Sequence, residues 1–367
     1  MTPYIAEVAP AQAQRQKKKV VRRSAPDQSQ RLRRGVQLAF VALNAWIGLQ
    51  FFLWVRQFGL QGATQNLALS RPPGVEGWLP IAGLMNLKYF AVTGRAPGIH
   101  PAAMFLLMAF LLMSVLLKKA FCSWLCPVGT LSEYLWKLGR KLFGRNFAPP
   151  RWLDLGLRSL KYILLGLFVA VIGYMSAAAL HDFMAGPYGI IADVKMLDFF
   201  RGITWVGISV LLALGGLSLF IQNFWCRYLC PYGALMGLVS LASPVKIRRD
   251  QDACIDCGKC AKVCPARLKV DELMQIRSVE CSACLACVAA CPVKNGLQFA
   301  LPPRKAPEIA ARWPTRVLRP QTVAAILVVI FLGFVLFARM TNHWQTYVPR
   351  DVYQQLVPNA DSVSHPM

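Results

Sequence analysis

The sequence predicts an all-α polytopic membrane protein of about five transmembrane helices with an internal two-helix repeat, carrying one small α+β module rich in cysteine. Three observations predict it. Hydrophobic residues make up 56% of the 367, more apolar surface than a soluble core of this size needs. Basic residues crowd into alternate segments of the chain. Eight of the twelve cysteines fall in two short runs between residues 254 and 291.

Taken in order, residues 1–34 are rich in Gln, Lys and Arg and read as a disordered basic cytoplasmic tail. Arg33-Arg34 stands before an apolar run as in a twin-arginine signal. No small-residue cleavage site follows, so the first helix is expected to stay as an anchor. Apolar stretches then recur at Val36–Val55, Ile99–Leu117, Leu157–Leu180, Ile203–Ile221 and Thr322–Ala338, each near the ~20 residues a spanning helix requires. The net charge of +24 raises nucleic acid as a partner, but its placement argues for a bilayer instead. Arg15–Arg34, Lys118–Arg151 and Arg227–Arg319 are dense in Lys and Arg, whereas 57–98, 181–201 and 339–367 hold few. That alternation is the positive-inside rule. It places the N-terminus and the cysteine module in the cytoplasm and the C-terminal tail in the periplasm, with membrane lipid as the partner and no nucleic acid. Ile81–Thr93 is apolar but short and contains Lys88; counted as a span it would export the module, so it reads as interfacial or re-entrant. The expected domains are therefore a tail (1–34), a membrane domain (35–245), the cysteine module (246–300), a linker with the last helix (301–338) and a periplasmic tail (339–367).

The module carries one spacing twice. Cys254-x-x-Cys257-x-x-Cys260-x-x-x-Cys264-Pro265 is followed by Cys281-x-x-Cys284-x-x-Cys287-x-x-x-Cys291-Pro292. Zinc sites use paired clusters of ligands, and disulfides do not fit a reducing cytoplasm. Two tandem runs of four with Pro after the last are the signature of a two-cluster ferredoxin-like module, in which the fourth cysteine of each run ligates the other run's cluster. Cys254, Cys257, Cys260 and Cys291 are thus expected to hold one [4Fe–4S] cluster, and Cys281, Cys284, Cys287 and Cys264 the other. The reducing compartment suits thiolate ligands.

The remaining four cysteines belong to the repeat. Ile81-Ala-Gly-Leu-Met-Asn-Leu-Lys-Tyr-Phe90 aligns without gaps to Ile191-Ala-Asp-Val-Lys-Met-Leu-Asp-Phe-Phe200. Downstream, Cys122-Ser-Trp-Leu-Cys126-Pro127 aligns to Cys226-Arg-Tyr-Leu-Cys230-Pro231. Each unit holds two spans, so the units run in the same direction about an axis along the membrane normal. The i, i+4 spacing puts Cys122 with Cys126, and Cys226 with Cys230, on one helical face at the cytoplasmic end of a span, and the prolines break the helices just after. Four thiolates round one axis form a soft site suited to Cu(I), an iron–sulfur centre or zinc, and two close thiols can also cycle through a disulfide. Buried packing cysteines are the plain alternative.

Two Cys-x-x-x-Cys-Pro motifs after spans, followed by two ferredoxin runs, resemble the membrane polyferredoxins of the NapH, NosR C-terminal and YccM type; oxidase-assembly proteins of the CcoG type share the arrangement. The resemblance covers roughly residues 35–345. It implies a bacterial cytoplasmic (inner) membrane protein that passes electrons between the quinone pool and a respiratory or maturation redox partner, as an electron carrier or as the quinol-oxidising subunit of a larger system. It differs from NosR-type proteins in having no large periplasmic flavin domain ahead of the first span, and from CcoG-type proteins in having no immunoglobulin-like domain after the last. A copper reductase or oxidase-assembly factor, and a redox-sensing scaffold, are the other readings. No catalytic residue is assigned. Glu76, His100, His181 and Asp182 lie at outer ends of spans, but a hydrocarbon core of ~30 Å separates that side from the clusters, and no Cys-x-x-Cys-His haem motif offers a relay. A quinone pocket is expected nearer the cytoplasmic leaflet, beside the cysteine pairs. The tail around Asn342-His343-Trp344-Gln345 reads as a docking or disordered segment.

Overall fold

The computed structural model describes residues 21–23, 27–59, 69–302 and 316–365. In chain order the helices are α1 Ser29–Gly59, α2 Pro80–Thr93, α3 Pro101–Leu117, α4 Ala120–Trp124, α5 Pro127–Phe143, α6 Arg151–Tyr174, α7 Ala177–Ala185, α8 Pro187–Ile190, α9 Ala192–Arg201, α10 Trp205–Phe220 and α11 Pro231–Val239. Strand β1 Lys246–Arg249, helices α12 Lys259–Lys262 and α13 Ala286–Ala290, and strand β2 Leu297–Ala300 follow, then α14 Pro320–Met340 and α15 Arg350–Leu356.

Among the described residues, three helices are long and apolar enough to cross a membrane: Ser29–Phe58, Arg151–Tyr174 and Pro320–Met340. Only 17%, 17% and 22% of their most apolar windows is buried within the protein. Leu49, Ile163 and Leu332 are accordingly exposed, a cost of about 25 cal/mol per Å2 in water that lipid removes. Of the about five expected spans, Val36–Val55, Leu157–Leu180 and Thr322–Ala338 fall on these three helices. α9 and α10 pass the same test only as a pair bent by 87°, because the chain breaks helix between Gly202 and Thr204. α3 is apolar throughout but only 17 residues long. The expected interfacial piece is α2, closed by Gly94 in the left-handed region at φ 69°, a conformation glycine adopts without a Cβ penalty.

The chain divides into two compact units, Met1–Leu38 with Leu112–Pro149 and Ser218–Leu327, and Ala39–Leu111 with Pro150–Leu217 and Val328–Met367. In the first unit β1 and β2 pair antiparallel, Lys246 opposite Ala300 and Arg249 opposite Leu297. Alternation puts Ile247, Leu297 and Phe299 inside, with Val270, Ile276 and Val293 completing the buried set. The strands thus bracket both cysteine runs. The sequence boundary at residue 34 falls inside α1: Arg33 is buried, its guanidinium held bidentate by Glu133 at 2.5 and 2.6 Å. Residues 29–34 are therefore helix and not a solvated tail.

In the second unit Phe51, Trp54, Val55, Val75, Ile191, Val194 and Tyr353 form one buried cluster, and Ala82, Met85, Ala103, Ile172, Leu180 and Met184 another. Lys88, the charge that marks α2 as a poor span, donates to the carbonyls of Ile172, Gly173 and Met175, closing the end of α6 where orphan carbonyls favour a cation. The C-terminal tail expected to be docking or disordered is folded here. Trp344, Tyr353 and Val357 are buried; Tyr353 lies in α15 and belongs with Val357 to the cluster around Trp54.

Candidate metal centres

Both cysteine runs take one backbone path. Asp256 at φ 49° and Gly258 at φ 67° flank Cys257; Ala283 at φ 48° and Leu285 at φ 58° flank Cys284. Ala and Leu are uncommon in that region and persist only where surroundings fix them. Alternating the hand of successive residues turns backbone N–H groups inward, forming the anion-receiving nest found at iron–sulfur sites. Each run then closes into a short helix bearing its third cysteine, Cys260 on α12 and Cys287 on α13, and these two helices pack together.

Two hollows result. One is walled by Cys264, Cys281, Cys284 and Cys287 with Ile247, Leu268, Val270 and Ile276; the other by Cys254, Cys257, Cys260 and Cys291 with Arg249, Asp271 and Leu297. They measure about 370 and 360 Å3, counted with the solvent at their mouths. Each gathers three cysteines of one run and the last of the other. The four cysteines of each set line the walls of a hollow, the disposition a cluster larger than one ion needs. Burial pushes the Cys264 thiol up to about 12 and raises Cys260, Cys281, Cys287 and Cys291. Such thiols ionise when a cationic centre displaces their protons. The donor set and the nests fit [4Fe–4S] clusters.

The Cys-x-x-x-Cys-Pro motifs differ from expectation in one respect. Cys122 lies in α4 and Cys126 caps α5, its sulfur accepting from the Gly129 N–H at 3.5 Å. Cys226 lies in a π-helical turn, Trp225–Leu229, and Cys230 caps α11, accepting from Gly233 N–H at 3.2 Å. Neither pair therefore shares one helical face: the break comes before the proline, which starts the next helix at its first position. At Gly129 a Cβ would stand 2.1 Å from the Cys122 carbonyl oxygen, so glycine is what lets the two helix ends meet. Cys122 and Cys226 line a further cavity with Lys119, Glu133, Arg227, Glu280 and Cys284. Burial lifts the Cys126 thiol to about 11 and raises Cys226 well above its usual value. Burial alone would lower Lys119, but the charges about it, that of Glu280 3.9 Å away first among them, outweigh it and raise its ammonium.

The sequence reading missed the residues that fasten the second run. Trp124 Nε1 donates to Ala283 O at 3.1 Å, Ser123 Oγ to Ser282 O at 2.6 Å, Lys118 Nζ to Ser278 O at 3.2 Å and Gln30 Nε2 to Cys284 O at 3.0 Å. Trp124 reads as an interface-belt aromatic in sequence, yet it is fully buried. Its sequence signal was its place inside the motif, between Cys122 and Cys126. The outer-loop residues go elsewhere. Glu76 and His100 are fully buried in a network where Arg71 donates to Glu76 at 2.7 Å and to Asp193 at 2.8 Å, with His100 Nδ1 3.0 Å from Arg71. Arg71 holds the Glu76 carboxyl at about 2 against its burial. These two are spent on each other, while His181 and Asp182 are exposed.

Apolar helices fit to span a membrane, joined to a module with two four-cysteine hollows, define a membrane-bound ferredoxin-type protein. A family model described as a 4Fe-4S binding domain matches residues 99–146 and again 203–250, and a 4Fe-4S dicluster domain matches 246–292. The chain is 50% identical over 336 residues, 91% of each chain, to the putative electron transport protein YccM of Escherichia coli K12. It is 32% identical over 207 residues to the protein NirI of Paracoccus denitrificans, covering 52% of this chain and 28% of that one. To the ferredoxin-type protein NapH of Haemophilus influenzae it is 29% identical over 195 residues, 50% and 63% respectively. No solved structure matches significantly. The chain belongs to the family of membrane polyferredoxins of the YccM and NapH type.

Proposed function

We propose that this protein is an inner-membrane electron carrier that exchanges electrons between the quinone pool and a redox protein partner. Cys254, Cys257, Cys260 and Cys291 hold one [4Fe–4S] cluster in this reading, and Cys264, Cys281, Cys284 and Cys287 the other. The observation that carries it is the sorting of the eight cysteines into two hollows across the two runs. Clusters bound there supply one-electron transfer. The protein's own part is to fix the sulfurs through the paired nests and to screen the second hollow from water with Ile247, Val270 and Ile276.

The module and the N-terminus face the cytoplasm and residues 339–367 the periplasm, on the placement of Lys and Arg. Five membrane passages follow if α3 and the bent pair α9–α10 each count as one, and the two motif-bearing halves then run parallel. The matching of one family model to both halves supports that repeat. The cavity shared by Cys122, Cys226 and Cys284 supports a further redox or metal centre at the motif cysteines, adjoining the second hollow, with the buried Lys119 ammonium as its counter-charge. The test is reduction of the iron–sulfur absorbance by a reduced quinone in proteoliposomes. Bleaching that requires Cys122 and Cys226 is expected; bleaching by dithionite but never by quinol would remove the quinone pool from the account.

A further inference from the structure

Of the eight cysteines in the two runs, Cys257 is exposed and the other seven are buried or half-buried. Ile255 beside it is 38% exposed. An electron entering or leaving the module from solution therefore does so past Cys257.

The rim of that edge is basic. Lys259 and Lys262 are exposed and share a face of α12 at i, i+3. Val293 lines the same hollow as Cys257; Lys294 follows it exposed, and exposed Arg22 is bridged to it across the backbone. Of the nearby acids, Asp256 is taken up by Arg249 at 3.1 Å and Glu272 by Lys269 at 3.0 Å, while Asp271 lines the hollow and Asp252 is exposed two residues before Cys254. The exposed cations outnumber the exposed acids, so the edge presents a small apolar centre, Ile255 and Cys257, with an excess of positive charge about it. An apolar centre and a charged rim are the anatomy of a protein interface, and the exposed Cys257 at its centre is the point that an electron-transfer partner has to reach.

We infer that the Cys257 edge is the docking surface for a soluble one-electron carrier whose cofactor is ringed by carboxylates. The inference rests on the electron-carrier reading above and names its partner by chemistry. Opposite charge raises the encounter rate and selects against carriers of the wrong sign, and salt screens both effects.

The experiment uses the full-length protein in nanodiscs of zwitterionic lipid, with flavodoxin as the acidic probe and cytochrome c as the basic one, and reads binding by interferometry. Flavodoxin should bind, weaken as salt rises, and weaken about tenfold or more in Lys259→Glu/Lys262→Glu/Lys294→Glu, with the iron–sulfur absorbance unchanged. Equal binding of both probes, or indifference to the reversed charges, would overturn the inference. So would protection of these lysines from acylation by anionic lipid alone, which would make the edge a membrane contact. Charge-dependent binding by protein that lacks iron–sulfur absorbance would instead leave the docking surface standing and defeat the electron-carrier reading.

Discussion

Cys122 and Cys284 line one cavity, although 162 positions separate them in sequence. Cys284 also walls the second hollow, so it is one of the residues through which the membrane-edge motif and the ferredoxin module adjoin. Replacing Cys122 and Cys226 together by Ala should alter the electron paramagnetic resonance of the cluster assigned to the second hollow and leave the other signal intact. Unchanged spectra and unchanged metal content would return both residues to packing.

Cross-ligation is tested at Cys264. It belongs to the first run but lies with Cys281, Cys284 and Cys287. Cys264→Ser should therefore damage the second cluster's spectrum and spare the first, and damage confined to the Cys254 cluster would contradict the assignment.

Glu133 holds the buried Arg33 guanidinium at two points, and Gln37 adds a third contact to the carboxylate. Glu133→Ala leaves an uncompensated buried cation and should destabilise the protein by about 3–5 kcal/mol, seen as a lower midpoint in detergent thermal unfolding. The pH dependence has a defined sign. Arg33 outweighs burial and depresses the Glu133 carboxyl from 4.5 to about 2, so its contribution is complete above pH 4.5 and drains away as pH falls toward 2. Glu133→Gln should flatten stability across that interval.

The cysteine module was legible in the sequence because its chemistry fixes its spacing: four ligands per cluster and a proline after the fourth leave few alternatives, and the hollows group the same eight residues. The membrane part was legible in composition and less so in its boundaries. A hydropathy run marks an apolar stretch but carries no sign of the bend between α9 and α10 or of the short reach of α3. The cysteine pairs were placed on single helical faces because i, i+4 spacing assumes unbroken helix; Cys126 and Cys230 instead serve as caps. Trp124 and Gln30 had no pattern to announce them, since their role depends on carbonyls about 160 to 250 residues away in sequence, and Lys119 had none because it answers to the distant Glu280.

Topology sets the side on which any partner docks. An alkaline phosphatase fusion after Asn359 should be active and one after Lys246 silent, because the proposed topology keeps the cluster of Lys246, Arg248 and Arg249 inside. Opposite activities would require Ile81–Thr93 to span and would put the module on the oxidising side.

The most direct measurement is the iron and acid-labile sulfide content of anaerobically purified protein, taken with its low-temperature resonance after reduction. The account predicts about eight iron and eight sulfide per chain from the two hollows, more if the motif cysteines hold a further centre, and the interacting signals of two nearby reduced [4Fe–4S] clusters. Stoichiometric zinc without labile sulfide would contradict it.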